Sequence, residues 1–428
     1  MRKKYQNKLE WRRLDNSAKI FPVSSGKRYS TVFRISTILK EQVNPDILLI
    51  AVKKALDKFS SFRVRMKKGF FWYYFEYNTK EPIIDKEHQY PCTYIDPKTN
   101  NNYLFKVTYF ENKINIDIFH SLTDGNNGNN FFKEIIYTYI ELAHSEDFEC
   151  ELRTDRKYNY NVEDSYIQNY DKKAKSNSSS KKAYIIRGKN TLPGIIGVIH
   201  QIINLSQLKD ICKNKNCTIT QYLTAVLIMC IYEENYKNTN SKKPIKVCIP
   251  VNLKRYFNSD TLNNFFSYIT LETYIKKYEL DNFDKILEFV KNEFNNRLTE
   301  DEIIKTMSGN VKLGNNTFIK LIPLFLKKIF VRLAYIEIRK YTTITFSNIG
   351  RIGIIGKYRE YIEHFLFLIA PESVEKIKCS VCTFENELIL TFTTILDDSK
   401  IEKRFYEFIK SEGIEINIES NGVLDVVS

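Results

Sequence analysis

The sequence predicts a mixed α/β protein in two lobes, each a sheet carrying helices. Three observations carry that expectation. Stretches of apolar alternation, the period-two mark of strands, are interleaved along the chain with stretches of helical periodicity. The 428 residues suffice for two or three domains or one large two-lobed one. A polar tract without periodicity, "DKKAKSNSSSKKA" (171–183), divides the chain unequally and suits a crossover linker. The expected organisation is a first lobe over residues 1–172, a linker over 173–183 and a second lobe over 184–428.

In the first lobe, "RYSTVFRISTIL" reads as a strand. A helix follows in "NPDILLIAVKKALDKF", with Asn44 as cap, Pro45 at the first helical position and Leu48, Leu49, Val52, Ala55, Leu56 and Phe59 on one face. "GFFWYYFEY" is an aromatic, strand-rich run. "YLFKVTYFENKINIDIFH" gives two alternating strands joined by a turn at Glu111 to Lys113, and "NFFKEIIYTYIELA" gives a helix. In the second lobe, strands are expected at "GVIHQIINL", "IKVCIPVNL", "FFSYITLETYI", "YTTITFSNI", "EHFLFLIA", "IKCSVCTF" and "NELILTFTTI". Helices are expected at 206–215, 219–235, 281–298, 318–338 and 399–412. Thr218 and Gln221 have capping-box spacing, and Gly413 follows the last helix as its cap.

Composition narrows the function classes. With 43% hydrophobic and 27% charged residues the chain can bury a sizeable core. The basic opening "MRKKYQNKLEWRRLDN" has no apolar stretch behind it, so no secretory leader and a cytoplasmic location are expected. The nearest approach to a membrane span, "FIKLIPLFLKKIFVRLAYIEI" (318–338), is cut by Lys320, Lys327, Lys328 and Arg332. It reads as a packed helix, with a peripheral membrane contact as the lesser alternative. The net charge of +14 follows Lys that is spread along the whole chain and forms no stripe, so no nucleic-acid partner is expected. Eight cysteines are scattered, at spacings that make neither a zinc site nor a disulfide framework. Cys379 and Cys382 lie on opposite sides of one strand, and no metal is expected.

One of five histidines stands where chemistry is possible. In "KINIDIFHSLTDG", His120 shares parity with Ile114, Ile116 and Ile118, so it points to the side those isoleucines bury, where the strand runs out into a loop. A partly desolvated histidine reachable from a cleft suits a base that is neutral near pH 7. Asp124, four residues on, could orient the ring or hold the loop through a cation. Gly125 could take a left-handed conformation or admit another chain segment, and Gly128 would loosen the start of the following helix. A core histidine beside a helix N-cap fits the same residues.

"FHSLTDG" resembles the H-x-x-x-D-G motif of the superfamily that holds chloramphenicol acetyltransferase, peptide-synthetase condensation domains and alcohol acyltransferases. "WRRLDNSAKIFP", "KGFFWYYFE" and "TITQYLTAVL" resemble segments of bacterial alcohol acetyltransferase-like proteins. "IPVNLKRYFNSDTLNNFFSYITL" is similar to the family's P-V-x-x-R stretch and the G/N-x-F-V-N that follows it. "TFSNIGRI" is similar to the S-N-x-G strand near the acyl-donor tunnel. The likeness runs from about residue 11 to 410 in family order. It implies two chloramphenicol acetyltransferase-like lobes with a tunnel between them. A thioester, acyl-coenzyme A or an acyl-carrier protein, would be co-substrate, no cofactor would be bound, and an alcohol or amine would be acceptor. His120 would be the general base and Asp124 a structural partner of a cation on the other lobe.

Two departures stand out. Lys254 occupies the family's arginine position with Arg255 next to it, so either could be the cation that pairs with Asp124. Phe119 replaces the first of the two histidines of peptide-forming domains, which favours the alcohol-acyltransferase side. Ser347 and Asn348 are candidate oxyanion donors, and Asn264 and Phe266 would line the crossing between lobes. The competing expectation is a degenerate, non-catalytic relative that binds or scaffolds. It calls for a blocked tunnel beside His120 or an Asp124 without a cation. No nucleophile elbow, phosphate loop or dinucleotide fingerprint is present.

Overall fold

The computed structural model describes residues 11–27, 30–148, 161–174, 181–315 and 320–424. The first ten residues, Cys150, the centre of the expected linker and the start of the 318–338 helix lie outside the described residues. The first half contains β1 (Trp11–Arg13), α1 (Phe21–Ser24), β2 (Val32–Leu39), α2 (Pro45–Lys58), β3 (Val64–Lys68), β4 (Tyr73–Tyr77), β5 (Ile84–Lys86), β6 (Phe105–Phe110), β7 (Lys113–Phe119), α3 (Gly125–Ala143) and α4 (Ser165–Asn169). After the linker come β8 (Gly197–Asn204), α5 (Leu205–Asn214), α6 (Ile219–Ile231), β9 (Ile245–Asn252), β10 (Phe266–Thr273), α7 (Phe283–Arg297) and α8 (Glu300–Asn315). The chain ends with α9 (Leu324–Ile338), β11 (Ile344–Arg351), β12 (Ile362–Ile369), β13 (Ile377–Phe384), β14 (Glu387–Thr394), α10 (Lys400–Ser411) and β15 (Ile416–Ser420).

A five-stranded sheet in the order β12-β2-β7-β6-β5 builds the first lobe, and a seven-stranded sheet in the order β10-β9-β11-β13-β14-β8-β15 builds the second. A small β1-β4-β3 sheet flanks them. β12 comes from the second half of the sequence yet pairs with β2, from Ile362↔Leu39 to Ile369↔Phe33. Phe365 and Phe367 of this strand pack into the first lobe's core. A chain division at 173–183 therefore does not divide the sheets, because one strand of the second half completes the first lobe.

Local signals explain most elements. Asn44 caps α2 by accepting from the amides of Asp46 and Ile47, with Pro45 at the first helical position. Thr218 and Gln221 close a reciprocal capping box on α6. Glu111 turns the β6–β7 hairpin with a positive φ of 50°. Ile114, Ile116 and Ile118 are all fully buried, against α2 and α3 residues of the same core. On the other face of β7, Asp117 takes a two-pronged pair from Arg34, Nε to Oδ1 at 2.9 Å and Nη2 to Oδ2 at 2.6 Å, which satisfies a charge that burial would otherwise make costly. Cys379 and Cys382 split between the two cores, one on each face of β13, and among the described residues no cluster of His, Cys, Asp or Glu could hold a metal.

Two expectations are corrected. The helix expected at "NFFKEIIYTYIELA" starts earlier: α3 begins at Gly125, directly after Asp124, so the Asn/Gly stretch is helical. Gly128 tightens that start, since a Cβ there would sit 2.9 Å from Ile118 Cδ1 and 3.1 Å from Phe33. The helix of 318–338 is not packed in a core either. Within α9 only Leu324 and Lys327 are buried. No helix among the described residues is long and apolar enough to cross a membrane.

Candidate active site

His120 follows β7 and its amide donates to Thr31 O at 3.0 Å, which continues the β2–β7 register one residue past the strand. The loop behind it is locked at every residue. Ser121 Oγ donates to Ala18 O (3.1 Å), Leu122 N to Phe119 O (2.8 Å) and Thr123 Oγ1 to Leu262 O (2.8 Å). The imidazole is half-buried between rings. It stacks on Phe21 (centroids 4.7 Å apart, planes 19°), meets Phe33 edge-on at 5.2 Å and lies 5.4 Å from Phe266.

Behind the ring is a polar chain that sequence reasoning missed. His120 Nδ1 is 3.1 Å from Asn264 Oδ1. Asn264 Nδ2 donates to Asp15 Oδ2 at 3.0 Å, and its backbone amide donates to the same oxygen at 3.3 Å. Asp15 Oδ1 accepts from Ala18 N (2.8 Å) and Ser17 Oγ (3.1 Å). Only the NH₂ end of the Asn264 amide satisfies a carboxylate, so its oxygen must face the histidine. Nδ1 then carries the proton, and Nε2 is left as the ring's acceptor. Burial pulls the His120 pKa below its ordinary value; its own carbonyl, Asp124, Asn264 and Asp15 oppose the shift. The ring is thus neutral at pH 7. Burial pushes the Asp15 carboxyl up, against its hydrogen-bond donors.

Asp124 is the N-cap of α3. Oδ1 accepts from Asn127 N at 3.0 Å, and Oδ2 from Phe265 N at 3.1 Å across the lobes. Among the described residues no cation pairs with it, which corrects the expected ion pair. Lys254 instead donates to Asn127 Oδ1 (2.8 Å) and Thr261 O (2.6 Å), so it holds the first turn of the helix that Asp124 caps. Lys254 is held away by the Asn127 and Thr261 oxygens, while one backbone amide bonds each oxygen of the Asp124 carboxylate. Burial lowers the Lys254 pKa, while Asp124 and Asp260 raise it. Arg255 is exposed at the cavity margin.

A cavity of about 2020 Å³ runs past His120 and is open, with walls from both lobes. Gly125 lines it in helical conformation, not a left-handed one; a Cβ there would meet Ile349 Cγ2 at 3.3 Å, so close approach is its use. Phe266, Ser347 and Asn348 line the cavity, whereas Asn264 is fully buried behind the ring and does not. Asn348 is occupied, Nδ2 donating to Thr220 Oγ1 (3.2 Å) and Oδ1 accepting from Gly350 N (2.7 Å). That bond closes the β11 bulge, where Gly350 has a φ of 78°. The Ser347 hydroxyl has no protein partner among the described residues.

Two sheet-built lobes around a cavity with a histidine on its wall are the architecture of chloramphenicol acetyltransferase-like and condensation-domain folds. The chain belongs to the alcohol acetyltransferase family, which it matches over residues 169–383. Among solved structures, Fusarium graminearum TRI101 complexed with coenzyme A and T-2 mycotoxin is similar at 9% identity, covering 95% of this chain and 99% of that one, with a TM-score of 0.66. TRI3 trichothecene 15-O-acetyltransferase from Fusarium sporotrichioides is similar at 11% identity, covering 94% and 95%, with a TM-score of 0.63. The starter condensation domain of rhizomide synthetase RzmA, in complex with C8-CoA and Leu-SNAC, is similar at 12% identity, covering 94% of each chain, with a TM-score of 0.57. At these identities the likeness is one of fold. No curated protein matches the chain in sequence.

Proposed function

We propose that the chain transfers an acyl group from a thioester, acyl-coenzyme A foremost, to an alcohol, with His120 as general base. The observation that carries this reading is the Asp15–Asn264–His120 chain, which reserves Nε2 for proton transfer at the wall of a cavity wide enough for two substrates. Nε2 takes the hydroxyl proton as the oxygen attacks the thioester carbonyl. The C–S bond then breaks, and the same proton passes to the departing thiolate. Ser347 is the oxyanion donor we favour over Asn348, because its hydroxyl has no protein partner among the described residues, whereas the Asn348 side chain is held at both ends by Thr220 and Gly350. Asp124 and Lys254 hold the loop and helix start rigid and stay outside the proton path.

The degenerate reading has one point in its favour, the lack of a cation at Asp124 among the described residues. It has the open cavity against it, and the two amides on Asp124 supply what a cation would. The test is product formation: acetyl-coenzyme A incubated with the protein and separate pools of short-chain, aromatic and polycyclic alcohols and of amines, the products read by mass. An ester from an alcohol pool is expected. Amides alone would overturn the choice of acceptor, and no product from acetyl-, octanoyl- or palmitoyl-coenzyme A would overturn the choice of donor.

A further inference from the structure

The α9 helix is two-faced in an unusual sense. At 3.6 residues per turn, Lys327, Val331, Ala334 and Ile338 fall on one side, and these line the cavity. The opposite side carries Phe325, Ile329, Leu333 and Ile336, which are 67%, 57%, 60% and 46% exposed. A soluble helix normally turns polar residues outward; this one turns an apolar stripe to solvent. Beside the start of α9 stands a second apolar feature. Leu324 N donates to Phe70 O at 2.9 Å, and Lys327 Nζ to Phe71 O at 3.1 Å, which fixes the β3–β4 turn against the helix. In that turn Phe70 is 71% and Phe71 47% exposed.

The patch is also cationic. Lys328 and Arg332 flank the outward stripe, and the exposed Lys68 and Lys320 lie beside the turn and ahead of the helix. Glu337, the one acid in α9, is neutralised by Lys182 (2.6 Å) and Lys340 (2.8 Å). A second copy of the chain would seat this face on itself, setting Lys328 and Arg332 against like charges. An apolar stripe with flanking cations and protruding phenylalanines instead fits an interface that is apolar at depth and anionic at its surface.

We propose that α9 and the Phe70–Phe71 turn are a docking face for an anionic lipid surface, with the helix lying in the plane of the headgroups. This takes up the lesser of the two expectations for residues 318–338, a peripheral membrane contact, over the packed helix. Docking in this pose sets the outer side of α9 against the lipid, while its opposite side still lines the cavity. The proposal stands apart from acyl transfer, and its test does not use turnover.

The test is flotation of the full chain with vesicles of phosphatidylcholine and with vesicles of an equal mixture of phosphatidylcholine and phosphatidylglycerol. Binding to the mixed vesicles is expected, weakening as salt rises. The pair Phe325→Ser and Ile329→Ser should weaken it by about tenfold or more, as should the pair Lys328→Glu and Arg332→Glu. Phe325, Ile329 and Arg332 are exposed, so melting temperatures should stay near wild type apart from a small loss where Lys328 leaves the Tyr73 ring, 5.2 Å away. Phe70→Trp should fluoresce at shorter wavelength on the mixed vesicles and be quenched by brominated acyl chains. The proposal fails if wild type does not float with the mixed vesicles at low salt, or if both pairs bind as wild type does. It fails equally if the chain sediments as a dimer that the Phe325→Ser and Ile329→Ser pair dissolves while vesicles are ignored.

Discussion

Asn264→Ala removes the side-chain acceptor at His120 Nδ1 and one donor to Asp15, at a residue that does not itself touch the cavity. The bond is 3.1 Å long, and a typical hydrogen bond contributes a net ~1 kcal/mol. Leaving a buried donor unpaired costs about 1–3 kcal/mol, equivalent to roughly 5–150-fold in rate if all of it falls on the transition state. The histidine's own carbonyl still favours the charged ring, which places the loss toward the lower end, at about tenfold in kcat/KM. Because the Asn264 bond raises the His120 pKa, its removal lowers that pKa further below the ordinary value. The acid limb of the kcat/KM profile should therefore move to lower pH. A merely structural defect would lower the plateau without moving the limb. The assay is thiol release against pH for wild type, Asn264→Ala, His120→Ala and the double variant. In the double variant the losses should be far less than additive, since Asn264 reaches the reaction chiefly through the ring, its other side-chain bond being to Asp15. An unchanged limb, or additive losses, would refute the reasoning.

Three further outcomes follow from the same geometry. Asp124→Asn keeps one acceptor oxygen, so either Asn127 N or Phe265 N loses its partner; a cost of about 1–3 kcal/mol should appear as a lower melting temperature, with kcat/KM falling less than about tenfold. Ser347→Ala should lower kcat by about 10²-fold with little change in melting temperature, and Asn348→Ala should instead destabilise the β11 bulge. Glu402 is 1% exposed, neither carboxyl oxygen has a partner among the described residues, and burial lifts its pKa to about 8. A folded-state pKa above the unfolded one means that stability is lost as pH rises from the unfolded value toward about 8. Glu402→Gln should thus gain about 1.4 kcal/mol over wild type per pH unit across that window in denaturant titrations, and parallel curves would contradict it.

Residues that state their roles locally were legible in the sequence. Asn44, Thr218 and Gln221 announce helix starts because a cap is a contact three residues long. The parity of His120 with Ile114, Ile116 and Ile118 placed the ring on the buried side because strand periodicity needs no tertiary information. What failed was long in range or masked by composition. Asp15 lies 249 residues from Asn264 in sequence, and the "WRRLDN" segment gave no sign of chemistry beyond its family likeness. The place of β12 in the first sheet depends on pairing with β2, across more than three hundred residues. The expected Asp124 cation failed because a carboxylate at a helix N-terminus can be satisfied by backbone amides, which sequence does not reveal. α8 escaped notice although Thr299 and Glu302 have capping-box spacing and Glu300, Asp301 and Glu302 open the helix, and the outward apolar face of α9 broke the rule that apolar periodicity implies a core on that side.

The most direct test of the central claim is free-thiol release from acetyl-coenzyme A in the presence of a pooled alcohol panel, wild type beside His120→Ala. Acceptor-dependent release by wild type is predicted, falling by about 10²–10⁴-fold in a variant that melts at the wild-type temperature. A folded His120→Ala protein that releases thiol at the wild-type rate would contradict the account.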